Sequence, residues 1–555
     1  MYLRKFVNNC LVCLTLVLVG TSGWTADGGD AAQTIFRNGV LPDGSWLRGE
    51  REASVHVDGP AAACSTCHRR SGLGGFEGRI VVPPITGEFL AKPHSTIVQG
   101  FAKAEQSFNR VTRTAYTPEA LIRAIREGID PSGRELNYLM PRYVLRDSEA
   151  QLIVDYLYGL SRRERVGVSE DTLQFATILT PDTDPNERIG MLAVLKKFFD
   201  DKNSFIRGGA RRMQSSREVE YRVSRRWQLH VWELVGPPES WTKQLHTKLA
   251  SEPVFAVISG LSSKHWSPVH HFCEQAALPC LFPNVNLPVV AESDFYSIYF
   301  SRGVQLESDL IASSLLSKTL LDGNVVQIYR EGDIGVEAAK ALKLTLAAKG
   351  AKVNLRPLPA NREGSADLAS ALAELRSNDT LVLWLRPSDL ALLPPPVGDA
   401  LVYISGTMGG LELAPVPQSW RRKIHMAYPF DTPEARRTRM SYALGWFKIN
   451  NIPVVAERIQ TDTYIACGIL AETLNEMQEN FDKDHLVERI ESMLSHRLVT
   501  GYYPRLSLAQ GQRFASKGGF VMHYGTDQGV TSIVPDSAWN VPDILTLDKF
   551  TRALD

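Results

Sequence analysis

Cysteine is scarce in this chain, with seven among 555 residues. That excludes a small scaffold held together by many disulfides. Net charge is absent too, because 61 basic residues balance 61 acidic ones. There is therefore no electrostatic footprint for nucleic acid and no polybasic patch for a membrane surface. The apolar run Leu11–Val19 is too short to span a bilayer, which takes about 20 residues. No Walker A motif, G-x-S-x-G elbow or H-E-x-x-H occurs, so nothing points to phosphoryl or hydrolytic chemistry. Short repeats and low-complexity tracts are missing as well. At this length a single core does not suffice, and two to four domains of roughly 100–200 residues are expected.

The N-terminus has the form of an export signal. Arg4 and Lys5 precede the apolar run, and small and polar residues follow, with cleavage expected near Ala26. Residues 1–26 are thus read as a signal peptide, and the alternative is an uncleaved anchor. Cys10 and Cys13 fall inside or before the run and do not look like lipidation sites. Cys64, Cys67, Cys273, Cys280 and Cys467 remain, in an oxidising compartment such as the periplasm. After cleavage no integral membrane segment is expected.

Cys64-Ser65-Thr66-Cys67-His68 is the most informative stretch. C-x-x-C-H is the attachment pattern of a c-type haem. Two thiols at this spacing can each add to a vinyl group of one porphyrin, and the next histidine can ligate the iron. A zinc site needs a second ligand pair at motif spacing, and the other cysteines lie about two hundred residues away. A thioredoxin-like site needs a βαβ context, and a glycine-rich loop follows instead. One motif implies one covalently attached haem.

Met140, in Leu139-Met140-Pro141, is the candidate sixth ligand, with His56 and His94 as competitors. A thioether favours reduced iron and a raised potential. With both axial positions filled, electron transfer is the expected role. Thr117-Pro118-Glu119 reads as an N-cap, a first-turn proline and a first-turn acid. Leu121, Ile122 and Ile125 then form an apolar stripe, and Gly128 is a stop. Asp147-Ser148-Glu149 opens another helix, with Leu152, Ile153, Tyr156, Leu157 and Leu160 at helical spacing.

Residues 64 to about 161 resemble class I cytochrome c. The resemblance rests on C-x-x-C-H, Gly72-Leu73-Gly74-Gly75, Pro83-Pro84 before Ile85-Thr86-Gly87, the run Arg126–Gly133, Met140-Pro141 and the final helix. It implies an all-α domain over about 30–162. It also implies that the carbonyl of Pro83 or Pro84 accepts a hydrogen bond from the proximal imidazole, fixing the ring. A long insert, from about Lys92 to Thr114, departs from the family pattern.

Residues 163–172 are charged and polar and read as a linker. Beyond them, strands and helices alternate. Phe175–Leu179, Val254–Ile258, Cys280–Phe282, Asn324–Tyr329, Thr380–Leu385 and Ala400–Ile404 read as strands, with helices at Ile189–Phe199 and about Val336–Lys349. Such alternation argues for parallel α/β sheets, and the length argues for two lobes. Cys273 and Cys280 are candidates for a disulfide, with two buried thiols as the alternative. Cys467 reads as a core residue, and His270-His271 as a surface pair rather than a metal site.

The order of these elements resembles the type I periplasmic binding proteins of the branched-chain amino acid and amide branch. The matching stretches are Val257–Ser263, Ala277–Pro283, Tyr299–Arg302, Ile328-Tyr329 before Gly335, and Thr461 to Leu474. The resemblance implies a two-lobed α/β domain over 173–540. Its first lobe would span about 173–301 and 425–520, its second about 302–424 and 521–540, with 541–555 as a tail. A hinged cleft would hold a small molecule. Carried over, Ser262 and Ser263 would hold a ligand carboxylate, Asn284 and Asn286 sit on the next loop, and Tyr329 lines the second lobe. Arg386 follows the Trp384 strand, and no acidic residue is evident for an α-ammonium.

The expected function is therefore single-electron transfer in the periplasm by a haem protein fused to a solute-binding module. Its redox partner would be a periplasmic dehydrogenase or oxidase. The alternative is a substrate-binding receptor for an ABC permease, taking a carboxylate, amide or aromatic solute and carrying an accessory haem. A catalyst in the cleft is the third reading, and no catalytic constellation supports it.

Overall fold

The computed structural model describes residues 28–542 except 78–79, 99–108, 162–164, 213–224, 290, 292–293, 318–323, 361–365, 374, 377, 397–399, 478–479 and 528–529. The signal segment, Cys10 and Cys13, the start of the expected linker and almost all of the expected tail lie outside these residues. The chain divides into two compact units, Met1–Arg163 and Glu164–Asp555.

In the first unit, helices Gly28–Asn38, Pro118–Glu127 and Asp147–Leu160 surround an apolar core. Ile35, Phe36, Leu121, Ile125, Ile153, Leu157 and Leu160 are buried in it. The first and last helices meet through Phe36 and Tyr156, with ring centroids 5.1 Å apart. The middle helix begins as its sequence indicates. Thr117 accepts a hydrogen bond from the Ala120 amide, Pro118 occupies the first turn, and Gly128 closes the helix at φ 71°. The helix Asp147–Leu160 is capped when the Glu149 carboxylate accepts from the Arg146 amide at 2.7 Å.

This unit is not all-α. Val55–Asp58, Arg48–Arg51 and Arg142–Val144 form an antiparallel sheet, and Gly75–Glu77 pairs with Ile80–Val82. The insert after Lys92 is a hairpin of His94–Val98 with Asn109–Arg113. Long connections between helices must satisfy their backbone groups somewhere, and here they do so by pairing with one another.

The second unit contains two sheets with one plan. In the first sheet five strands run in the order Arg226–Glu233, Thr172–Leu179, Ala256–Ile258, Cys280–Leu281, Ser297–Ile298, all parallel, and the short strands Leu261–Ser262 and Asn284–Val285 join it at Leu179. In the second it is Val353–Leu358, Val325–Arg330, Thr380–Trp384, Leu401–Ser405, Ile424–Tyr428, again parallel. Phe520–Asp527 and Val530–Pro535 then extend the second sheet antiparallel. Central strands such as Val325–Arg330 and Thr380–Trp384 are buried throughout, as continuous apolar strands between helices should be.

The chain passes between the sheets around Ser301–Gly303, Pro429–Asp431 and Phe514–Gly519. The second passage falls later than the expected 424/425 boundary, because Ile424–Tyr428 is the fifth strand of the second sheet. The expected linker also differs. Val168 bridges Leu173, the Gln174 amide donates to the Gly167 carbonyl, and Ser169 caps the turn before the first strand. Its polar residues close a turn rather than span a gap. Cys273 and Cys280 are joined by a disulfide, tying the helix Ser267–Gln275 to the next strand.

Candidate functional sites

In the first unit, the helix Ser65–His68 carries the C-x-x-C-H residues to the wall of a cavity of about 1780 Å³, its open mouth included. Cys64, Cys67, His68, Pro83, Pro84 and Met140 all line it. Apolar neighbours include Leu47, Leu90, Leu121, Ile125, Ile153 and Leu157. The glycine-rich stretch explains how the proline segment comes so close. Gly74 has φ 73°, and a Cβ there would stand 2.1 Å from the Val82 carbonyl oxygen. Only glycine allows both that dihedral and that approach.

The approach brings the Pro83 carbonyl to 3.0 Å from His68 Nδ1. Of the two prolines, Pro83 is thus the acceptor. Burial lowers the His68 pKa, against the opposing pull of the Pro83 bond, so the ring is held neutral. With Nδ1 as donor, Nε2 keeps its lone pair, as a metal-ligating imidazole requires. Burial also pushes the Cys64 thiol up to about 12. Met140 is half-buried at the edge of the apolar core. His94 also lines the cavity but is exposed, while the exposed His56 does not line it. Two thiols, one neutral imidazole, one thioether and an apolar wall in one cavity fit a covalently bound haem.

In the second unit, the two sheets place their strand ends toward a cleft, where ligands of open α/β sheets bind. Asn284, Asn286, Ser301, Gly303, Thr407, Phe430, Arg458, Asp462 and Tyr503 line a narrow recess of about 20 Å³ beside the chain passages. Asn284 Nδ2 donates to Ser259 Oγ at 2.8 Å and to Thr463 Oγ1 at 3.2 Å. Arg458 reaches Asp462 Oδ2 at 3.3 Å and Asn286 Oδ1 at 3.2 Å. Burial pushes Asp462 up to about 6, against the pull of Arg458. Phe430 and Phe300 pack on Tyr503, closing the recess with aromatic faces.

The other expected ligand residues are placed differently. Ser262 Oγ donates to the His265 carbonyl. The Ser263 carbonyl accepts from Arg386 Nη2 at 3.3 Å, a link from the second lobe to the first. Arg386 is also paired with Asp333 at 2.8 and 2.9 Å. Burial opposes the charge of Asp333, but Arg386 outweighs it and holds the carboxyl below its usual range. Tyr329 packs in the second-lobe core with Ile334, Leu342 and Trp384, away from the recess. Successive strand residues face opposite sides, and Tyr329 takes the side packed by helices Val304–Ser317 and Gly335–Ala347.

Sequence reasoning did not single out Arg458, Asp462, Thr407 and Tyr503 as site residues; Asp462 is an acid lining the recess, and it is paired with Arg458. The available signal was Gln460-Thr461-Asp462-Thr463, a polar run inside the otherwise apolar helix Glu457–Met477. His270 is not a surface residue either. It is 1% exposed, with Nδ1 on the Tyr299 hydroxyl and Nε2 3.0 Å from Asp294. Glu274, the third group near it, accepts from the Phe295, Tyr296 and Ser297 amides. Cys467 lies in the core as expected.

Glu307 is fully buried, accepting from Ser405 Oγ and from the Thr407 amide at 2.7 Å. Burial pushes it up to about 7 from 4.5. The folded state therefore holds this proton more tightly than the unfolded chain, and stability falls as pH rises from 4.5 to about 7. Glu307→Gln removes this dependence. Thermal melts across that range should show the parent losing stability relative to E307Q, with a constant difference above it. A parent and variant that run parallel from pH 4 to 8 would contradict the assignment.

No family model matches the chain, and no curated protein matches it in sequence. Solved structures match in shape. A fatty acid ABC transporter substrate-binding protein from Thermomonospora curvata is 16% identical, with TM-score 0.47, over 69% of this chain and 96% of that one. A leucine-binding protein from Thermotoga maritima is 12% identical, with TM-score 0.46, over 67% and 99%. A substrate-binding periplasmic protein from Ralstonia solanacearum is 12% identical, with TM-score 0.47, over 66% and 100%. The two-lobed α/β architecture of the second unit is read from its own strand orders and three chain passages, not from these scores. Among the described residues, no helix is long and apolar enough to cross a membrane.

Proposed function

We propose that this chain is an exported solute-binding receptor with an attached haem c unit. The observation that carries the receptor reading is the pair of like-ordered parallel sheets around a recess lined by Asn284, Asn286, Thr407, Arg458 and Asp462. Such a receptor hands its solute to a membrane permease of the ABC type. It works by binding, not by catalysis.

In this reading the first unit carries one haem. Cys64 and Cys67 attach it, His68 and Met140 ligate its iron, and the Pro83 carbonyl orients His68. Bound haem supplies single-electron transfer, with a periplasmic dehydrogenase or oxidase as the partner. The cavity supports this by collecting all four chemical groups. Whether the haem unit is the main business or the accessory is decided by coupling, and the receptor reading is favoured because the second unit makes up the greater part of the chain.

Two measurements test the proposal. A thermal-shift screen of carboxylates, amides and aromatic solutes on the full chain, oxidised and reduced, should find a ligand whose effect is the same in both states. A ligand that shifts the haem potential would instead favour the electron-carrier reading. Met140→Ala should leave haem attachment intact and abolish the methionine–iron absorption band. Absence of the band from the parent protein would instead make another residue, His94 first, the ligand.

A further inference from the structure

We infer that Arg51 and Arg113 receive the two propionate carboxylates of the haem held in the cavity of the first unit. The inference rests on the haem reading of that unit and names the residues that meet the acid groups of the same cofactor.

The cavity that gathers the C-x-x-C-H residues is apolar over much of its wall, but its charges do not balance. Three arginines line it, Arg51, Arg113 and Arg134, against one carboxylate among the described residues, Asp130. Asp130 is already engaged. It is 6% exposed, accepts from the Ser132 and Arg134 amides at 2.8 and 2.9 Å, and pairs with the Arg134 guanidinium at 2.7 Å. That leaves two cations without a carboxylate.

Arg51 is half-buried, its Nε is buried without a hydrogen-bond partner, and among the described residues its guanidinium meets no acid. Arg113 is held by main-chain oxygens only. Its Nη1 donates to the Lys92 and Thr114 carbonyls at 3.1 and 3.0 Å, and its Nη2 to the Phe89 carbonyl at 2.6 Å. These bonds fix the side chain at the wall and leave the Nε–H and one Nη2 hydrogen free to donate. Burial pulls the Arg113 pKa down, against weaker pulls from Tyr116 and Asp130.

Uncompensated cations on an apolar, half-buried wall are costly. A ligand with an apolar body and two acid groups removes that cost, and haem has this form. The guanidinium fork also matches a carboxylate in shape. Neither arginine comes from the stretches that carry the cytochrome c resemblance. Arg51 ends the strand Arg48–Arg51, ahead of the motif, and Arg113 ends the hairpin formed by the insert. A guanidinium beside a propionate cancels negative charge that favours oxidised iron, so each arginine raises the haem potential.

The test is redox titration of the full haem-bearing chain and of Arg51→Gln, Arg51→Lys, Arg113→Gln and Arg113→Lys. R51Q and R113Q should each lower the potential. At the parent's midpoint the reduced-to-oxidised ratio should fall roughly tenfold, about 59 mV for a one-electron couple. The potential of each neutral variant should also gain a pH dependence that the parent lacks, because a carboxylate without its cation takes up protons more readily. R51K and R113K keep the charge and should hold the ratio within about threefold of the parent. R113Q and R113K both lose the fork on three carbonyls, so similar losses in melting temperature with different potentials separate charge from fold. Parent-like potentials in both R51Q and R113Q overturn the inference and leave the haem reading standing. A parent-like potential in one of them, or equal falls in its Gln and Lys variants, overturns the assignment of that residue. A parent chain without haem after denaturing electrophoresis overturns the haem reading and this inference with it.

Discussion

Replacing both Cys64 and Cys67 with alanine is expected to abolish covalent haem and to leave the first unit without a filled core. The two thiols stand on the wall of the same cavity as His68 and Met140. Without attachment, the haem would be held only by the axial ligands and the apolar wall, and denaturation would release it. Haem staining after denaturing electrophoresis should fall from full signal to none. Single variants should keep one thioether and part of the signal. Unfolding of the first unit should move to lower temperature, because the apolar residues lining the cavity, Leu121, Ile125, Ile153 and Leu157 among them, would then lack the proposed haem to pack on. Undiminished staining in the double variant would show that the motif does not attach haem.

The second large effect concerns a buried ion pair of the second lobe. Arg330 ends the first strand of the second-lobe sheet and is buried. It grips Asp389 with Nε and Nη2 at 2.6–3.0 Å and donates Nη1 to the Pro359 carbonyl at 2.7 Å. Asp389→Ala leaves that guanidinium buried without its counterion. Removing one partner of a buried pair costs about 3–5 kcal/mol, a large fraction of a typical folding free energy. Denaturant unfolding followed by tryptophan fluorescence should register that loss, since Trp384 lies on the adjacent strand. Glu337→Ala provides the contrast. Its pair with Lys340 is about half exposed, and such pairs contribute roughly 0–1 kcal/mol. Equal losses in the two variants would contradict the ledger of buried against exposed charge.

What the sequence made legible follows from how local each signal is. Thr117-Pro118 with Gly128, and Glu149 against Arg146, are caps written within one helical turn, and the structure uses them as such. Buried strands such as Thr380–Trp384 announce themselves as short apolar runs. Arg226–Glu233 was not legible, because its alternating polar residues give an ordinary edge pattern and its partner lies more than fifty residues earlier. Ile424–Tyr428 was missed for a similar reason, with His425 interrupting the run.

The two sites differ in the same way. Cys64, Cys67, His68 and Pro83, proposed to hold the haem, come from a contiguous motif and a nearby proline, so spacing alone points to them. The recess joins Asn284, Thr407, Asp462 and Tyr503 from distant parts of the chain. No window of sequence contains that constellation. The partner choices of Arg386 and the inward turn of Tyr329 depend on tertiary packing that spacing does not encode.

The most direct test of the whole account is the mass of the exported chain, taken intact and after proteolysis under denaturing, reducing conditions. The account predicts a chain starting just after Ala26, heavier by one haem, with the added mass on the peptide holding Cys64 to His68. Cys64 and Cys67 that both accept an alkylating reagent, on a chain of unmodified mass, would contradict it.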